Sequence, residues 1–234
     1  MFLRSTHIRH YKSLDDVRVE FTRPITVIVG PNAAGKSNFV DALRFAGEMA
    51  SAANVQTRRE AVQHHGGIER IRSRATAAGE IVSIALDMDT DAGSGHASVT
   101  LEPAGQQQYA ARVGVQPASL SEEVFPHWRL TPAPTLLVIE EPEHTVYPGA
   151  LGVLVDAMRE ASEQTQIILT THSPDLVHYF KPDEIRVATI ENGHTRIAPI
   201  CAPQRAAIDE HLMTAEEFMR AEGLQPEPAQ APAA

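Results

Sequence analysis

One cysteine, Cys201, is all the thiol this 234-residue chain contains. A single thiol rules out an internal disulfide framework and leaves no zinc cluster of the usual cysteine-based kind. No window approaches the run of about eighteen apolar residues that a membrane-spanning helix needs, and the opening MFLRSTHIRH lacks the apolar stretch of a signal peptide. The expectation is a cytoplasmic protein without a membrane anchor. Positive charge is also scarce, with 20 Lys/Arg against 30 Asp/Glu and a formal net charge of −10. That balance argues against a chain that coats nucleic acid through bulk charge.

The deficit is uneven. Residues 1–75 hold 12 Lys/Arg and 7 Asp/Glu, whereas the remainder holds 8 and 23. Arg58, Arg59, Arg70, Arg72 and Arg74 fall close together in the positive part. They form either a solvated helical face, as most charge runs do, or a contact for DNA phosphates. With 43% hydrophobic residues, the chain is long enough to bury a real core.

Alternation in FLRSTHIRHY and LDDVRVEF predicts two strands with a turn near Lys12-Ser13, and PITVIVG is a short β-branched run ending in Gly30. KSNFVDALRFAGEMASAA places Phe39, Ala42, Leu43, Phe45 and Ala46 on one helical stripe. Residues 55–75 read as a polar, basic loop with helical pieces around His64-His65-Gly66-Gly67. EIVSIALDM, ASVTLEP and QYAARVGV suggest an antiparallel sheet over about 79–114, and 116–134 shows no periodicity. The second half alternates strand and helix: TLLVIE, GALGVLVDAMREASEQ, TQIILTTH and SPDLVHYF, then a hairpin turning at Glu191-Asn192-Gly193. The expected organisation is one domain over 1–222, with a Pro/Ala-rich disordered tail over 223–234.

Gly30-Pro31-Asn32-Ala33-Ala34-Gly35-Lys36-Ser37 fits G-x-x-x-x-G-K-[ST] between a β-branched strand and an amphipathic helix. In that setting the loop amides and the helix N-terminus cradle phosphate, Lys36 neutralises the β and γ oxygens, and Ser37 can ligate Mg²⁺. TLLVIEEPE runs a buried-looking strand into Glu140, Glu141 and Glu143, interrupted only by Pro142. Like charges packed so closely need a cation; otherwise the strand simply ends at a solvated turn. A P-loop site supplies the cation, giving Glu140 the Mg²⁺ role and Glu141 the role of general base. His172, after QIILTT, is positioned to sense the γ-phosphate or the attacking water. The other histidines, His64-His65 included, show no carboxylate or cysteine at ligand spacing and are assigned no metal.

GPNAAGKSN, LLVIEEPE and IILTTHSPDLV, in that order after IRHYKSLDDVRVEF, closely resemble the ABC-type ATPase heads of the RecF/SMC/OLD group, nearest the stand-alone bacterial AAA-family ATPases. The resemblance covers roughly 1–50 and 133–200. It implies an α/β P-loop NTPase fold, a mixed or parallel core sheet flanked by helices, and an antiparallel β subdomain. It also implies ATP and Mg²⁺ as cofactors, with phosphate bound by Asn32, Gly35, Lys36, Ser37 and Asn38. Ser37 and Glu140 would hold Mg²⁺, Glu141 would catalyse, His172 would switch, and Arg9 and Lys12 would approach the nucleotide.

Departures from the family pattern define the alternatives. The signature segment that caps the opposite subunit's γ-phosphate has only Leu120-Ser121-Glu122-Glu123 as a candidate, without glycine, and the helical lobe is reduced. Ala33 replaces a customary glycine and requires a negative φ. Val146-Tyr147 stands where relatives have Leu-His. The resemblance implies an ATPase coupled to homodimerisation or to a partner, in DNA repair, chromosome maintenance or phage defence. The alternative is a nucleotide-binding module that needs another chain to complete its site.

Overall fold

The structure is a computed structural model and describes residues 1–22, 24–73, 80–90, 93–104, 109–116 and 136–229. Two five-stranded sheets organise it. The first is antiparallel and joins β1 (Phe2–Tyr11), β2 (Leu14–Glu20), β4 (Val82–Thr90), β5 (Gly93–Pro103) and β6 (Tyr109–Gln116) in the order β2-β1-β4-β5-β6. The antiparallel portion therefore extends beyond the expected 79–114, because β1 and β2 are part of it. The second sheet is mixed. It joins β3 (Ile25–Val29), β7 (Leu136–Glu140), β8 (Gln166–Thr171), β9 (Ile185–Glu191) and β10 (His194–Pro199) in the order β10-β9-β3-β8-β7. Only the β9–β10 pair in it is antiparallel.

The central strands read as unbroken apolar runs because both faces are covered. On β3, Ile28 joins the core shared with the antiparallel sheet and the helix α1 (Lys36–Ser51), whereas Ile25, Val27 and Val29 face the opposite core. Ile168 and its neighbours Ile167 and Leu169 divide in the same way on β8. The predicted stripe of α1 is buried in the first core, through Phe39, Ala42, Leu43, Phe45 and Ala46. The second core is closed by α4 (Leu151–Ala161), α5 (Pro174–Val177) and α7 (Ala215–Ala221), which follows α6 (Ala202–Asp209).

Three expectations need correction. Residues 55–75 hold a ten-residue helix, α2 (Val55–His64), and a short one, α3 (Ile68–Ile71). Asn54 starts α2 with a reciprocal cap: its side chain accepts from the Thr57 amide, and the Thr57 hydroxyl accepts from the Asn54 amide. The described part of the expected tail is docked. Leu224 is buried, Cys201 N donates to Gln225 O at 2.8 Å, and Glu227 N donates to Pro199 O at 2.8 Å. Proline lacks a donor but not an acceptor, so a proline-rich stretch can still pair along one edge. Finally, Ala33 has φ +66° rather than a negative value. The candidate signature residues Leu120–Glu123, all of the expected shortened signature region 116–134 except Gln116, and Arg74 lie outside the described residues.

Candidate functional site

The loop after β3 turns through a tight, glycine-dependent path. A Cβ on Gly30 would sit 2.2 Å from the carbonyl oxygen of Ala188 on β9, and Gly35 has φ +91°. The first α1 amide bonded within the helix is that of Phe39, which donates to Gly35 O at 3.0 Å. Lys36, Ser37 and Asn38 therefore present their amides at the open helix end. No acidic residue occupies the first turn of α1, so its positive pole is uncompensated locally. Hard oxygen donors, a hydroxyl at Ser37 and a carboxylate at Glu140, suit Mg²⁺, and the amide-lined turn suits phosphate.

Lys36 is only 5% exposed, and its Nζ donates to the carbonyls of Gly30 at 2.8 Å and Pro31 at 3.1 Å. The same ammonium lies 3.2 Å from Glu141 Oε1. Glu141 in turn accepts a hydrogen bond from His172 Nδ1 through Oε2. Burial pushes the Glu141 carboxyl up, but the His172 hydrogen bond and the Lys36 ammonium outweigh it and hold the group below the usual carboxylate range. Glu141 adopts φ +44°, a left-handed conformation unusual for a non-glycine residue and typical of constrained functional positions. Its backbone is fixed by donation from its own amide to Thr170 O at 2.9 Å.

The predicted residues thus divide. Lys36, Glu141 and His172 converge directly. Glu140 ends β7 opposite Thr170 and has Arg44 Nη2 at 3.6 Å. Ser37 is exposed at the helix start, as are Asn32 and Ala33 in the loop, whereas Ala34 and Gly35 are buried. Asn38 donates from Nδ2 to Ser13 Oγ at 2.8 Å, tying α1 to the β1–β2 turn. Lys12 stands in that turn and donates to Asp41 Oδ2 at 2.5 Å. It lines a cavity of about 810 Å³ with Ser13, Asn38, Asp41, Arg70 and Arg72. Arg9 is exposed on β1, opposite Asp16 and Ser83, and does not line that cavity.

Sequence reasoning left two neighbours without a role. Glu143 Oε1 accepts from Thr171 Oγ1 at 2.5 Å and from the His172 amide at 3.2 Å, so it pins the end of β8 beneath the histidine. His144 Nε2 lies 3.3 Å from Glu141 Oε2, and its ring packs 5.1 Å from that of His172. The signal for Glu143 was present in the acidic cluster. Nothing local singled out His144.

Two family models match the sequence. One, described as "AAA domain, putative AbiEii toxin, Type IV TA system", matches residues 123–178, and an AAA-domain model matches 5–109. The chain is 44% identical over 45 residues to the DNA replication and repair protein RecF of Thermosynechococcus vestitus, a stretch covering 19% of this chain and 12% of that protein. It is 35% identical over 96 residues to the chromosome partition protein Smc of Fusobacterium nucleatum, covering 39% and 8% respectively. The matched stretches are thus a small part of these much longer relatives. Among solved structures, the SMC head domain from Thermotoga maritima superposes with a TM-score of 0.59 at 14% identity, over 86% of this chain and 99% of that one. A Pyrococcus furiosus Smc head domain with an extended coiled coil, bound to the C-terminal domain of ScpA, gives 0.62 at 9% identity, over 90% and 99%.

Proposed function

We propose, on the premise that this chain is an ATPase head of the RecF/SMC group, that it binds Mg·ATP at the loop 30–37 and hydrolyses it when associated with a second head. The observation that carries this reading is the continuous contact Lys36–Glu141–His172, which joins three motif segments spread over more than a hundred residues of chain. Ser37 and Glu140 would hold Mg²⁺, which supplies neutralising charge to the β and γ oxygens. Lys36 neutralises the same oxygens from within the loop. Glu141, ionised through the neutral range, accepts the proton of the attacking water. The His172 N–H fixes the orientation of that carboxylate, and Glu143 and Thr171 fix the histidine.

Association is supported by Tyr147, 82% exposed just after the acidic cluster, and by exposed Val153 on α4. Large apolar side chains bared beside a site suit a covering partner. The group to which the chain belongs supports a place in DNA maintenance. Phage defence is a narrower version of the same proposal. Direct contact with DNA would fall to Arg58, Arg59, Arg70 and Arg72, of which Arg70 and Arg72 face the cavity beside Lys12. Binding through those residues would weaken steeply as salt rises.

A second reading is favoured by one sequence feature, the glycine-free Leu120-Ser121-Glu122-Glu123, whose two acids would repel a triphosphate. In that case the chain binds ATP and waits for another protein to complete the site. Steady-state Mg·ATP hydrolysis across a range of protein concentrations separates the two. Turnover rising more than linearly with concentration, and lost in Glu141→Gln, supports self-association. Tight binding without turnover at any concentration supports the partner-dependent reading.

A further inference from the structure

Away from the P-loop site, α1 and the end of α2 bring together a second cluster of charged and imidazole groups. Asp41 and Glu48 lie on α1, and His64 and His65 close α2. His65 has a side chain only 2% exposed, and its Nδ1 lies 2.8 Å from Asp41 Oδ1. Asp41 also accepts from the Tyr11 hydroxyl at 2.6 Å and from Lys12 at 2.5 Å, so it is an anchored carboxylate that accepts the Nδ1 proton. That contact leaves the lone pair of a neutral imidazole on Nε2. His65 Nε2 is buried with no hydrogen-bond partner, 3.3 Å from Glu48 Oε2 but without hydrogen-bond geometry. The same Glu48 oxygen lies 3.2 Å from Nδ1 of His64, whose side chain is 71% exposed. All three ligand atoms fall within 4.8 Å of one another.

From these groups we infer that Glu48 Oε2, His64 Nδ1 and His65 Nε2 bind a divalent d-block cation of the zinc type, with water completing the coordination. Tetrahedral zinc with bonds of about 2.0–2.1 Å spaces its ligand atoms about 3.3 Å apart, which matches both contacts made by Glu48. The Asp41–His65 pair reproduces the carboxylate behind a metal-bound histidine that fixes its tautomer and raises its basicity. Two imidazoles and one carboxylate suit zinc better than magnesium, which prefers oxygen donors in an octahedral set. The ion staples α2 and the Gly66-Gly67 turn to the helix that follows the phosphate loop. Through Asp41 and Lys12 it also stiffens one wall of the 810 Å³ cavity.

The alternative for His65 is an imidazolium donating to both carboxylates, which leaves nothing for a metal. Calorimetric titration of the chelator-treated full chain with Zn²⁺ alone, without nucleotide, tests the inference. His64→Ala removes an exposed ligand and Glu48→Gln is isosteric, so both variants keep the fold. His144→Ala/His172→Ala removes the other histidine–carboxylate group. The expected result is one zinc per chain, retained in the His144/His172 double variant and weakened at least 100-fold by His64→Ala or Glu48→Gln. Asp41→Asn should weaken binding by about 10–100-fold, as loss of an outer carboxylate does. Saturating Zn²⁺ should raise the Tm of the wild type and not that of His64→Ala. The inference is overturned if folded wild type binds no zinc, if binding is unaffected by both ligand variants, or if Mg²⁺ competes at equal concentration.

Discussion

At Ala33 the chain places a side chain where the backbone would rather have none. With φ +66°, its Cβ crowds the following carbonyl, a conformation costing about 1–2 kcal/mol for a non-glycine residue. Ala33→Gly relieves this strain and is expected to raise stability by about 1 kcal/mol, less the extra freedom gained by the unfolded chain. A urea-unfolding midpoint below that of the wild type would contradict it. Asp41 gives the clearest titration argument. Burial raises its pKa, but hydrogen bonds from His65, Lys12 and Tyr11 outweigh burial and hold the carboxyl far below the usual range. A depressed folded pKa stabilises the native state fully above the unfolded value of about 3.9, and the gain disappears as pH falls through the folded value. Asp41→Asn should therefore cost on the order of 2–3 kcal/mol at pH 7, a difference that shrinks steadily below about pH 4 in urea titrations.

Among the elements, those with a strong apolar period were legible in the sequence and the polar ones were not. The five buried residues of β3 and the stripe of α1 follow directly from β-branching and from 3.6-residue spacing. The β9–β10 hairpin also follows, since Asn192 and Gly193 both take the positive φ that a two-residue turn demands. The helix α2 escaped because it buries only Ala61 and Val62, so almost no stripe marks it, although Asn54 and Thr57 carried its capping signal. The stretch 223–229 escaped for a different reason. Composition suggested disorder, but one buried leucine and a few edge hydrogen bonds suffice to dock a chain already anchored by α7. Leu224 joins Phe218 and Ile200 in the second core, so Leu224→Ala should destabilise the protein by about 2–3 kcal/mol. An unchanged thermal midpoint would show that the docking adds nothing to the fold.

For the whole molecule, the mixed sheet is what makes a site from three distant motifs. Parallel pairing of β7 with β8 and of β8 with β3 brings the ends of all three strands to one edge, where ligands gather in open α/β sheets. If that edge holds the triphosphate, Lys36→Ala should abolish ATP binding in calorimetry, and unchanged affinity would refute the assignment of the loop. Glu141→Gln should keep binding while turnover falls by at least about a hundredfold, the scale of general-base catalysis. Full activity in that variant would remove Glu141 as the base. Both are measurements on the intact chain, since the two cores share β3 and β8 and leave no separable half.

Sequence by itself determined the glycine-rich loop 30–37 between a strand and a helix, the acidic strand end and the strand–helix order that relates them, because each is written in local spacing and side-chain chemistry. It also supplied a single cysteine, too few for a zinc cluster of the usual cysteine-based kind. Only the tertiary structure decided that Lys36 reaches Glu141, that Glu143 supports His172, and that Asp41 and Glu48 flank His65. Each of these contacts joins residues on different elements, and their proximity depends on how the elements pack. The sequence spacing showed His64 and His65 no carboxylate for that reason: Asp41 and Glu48 lie on α1, one helix away in sequence and beside the two imidazoles in space.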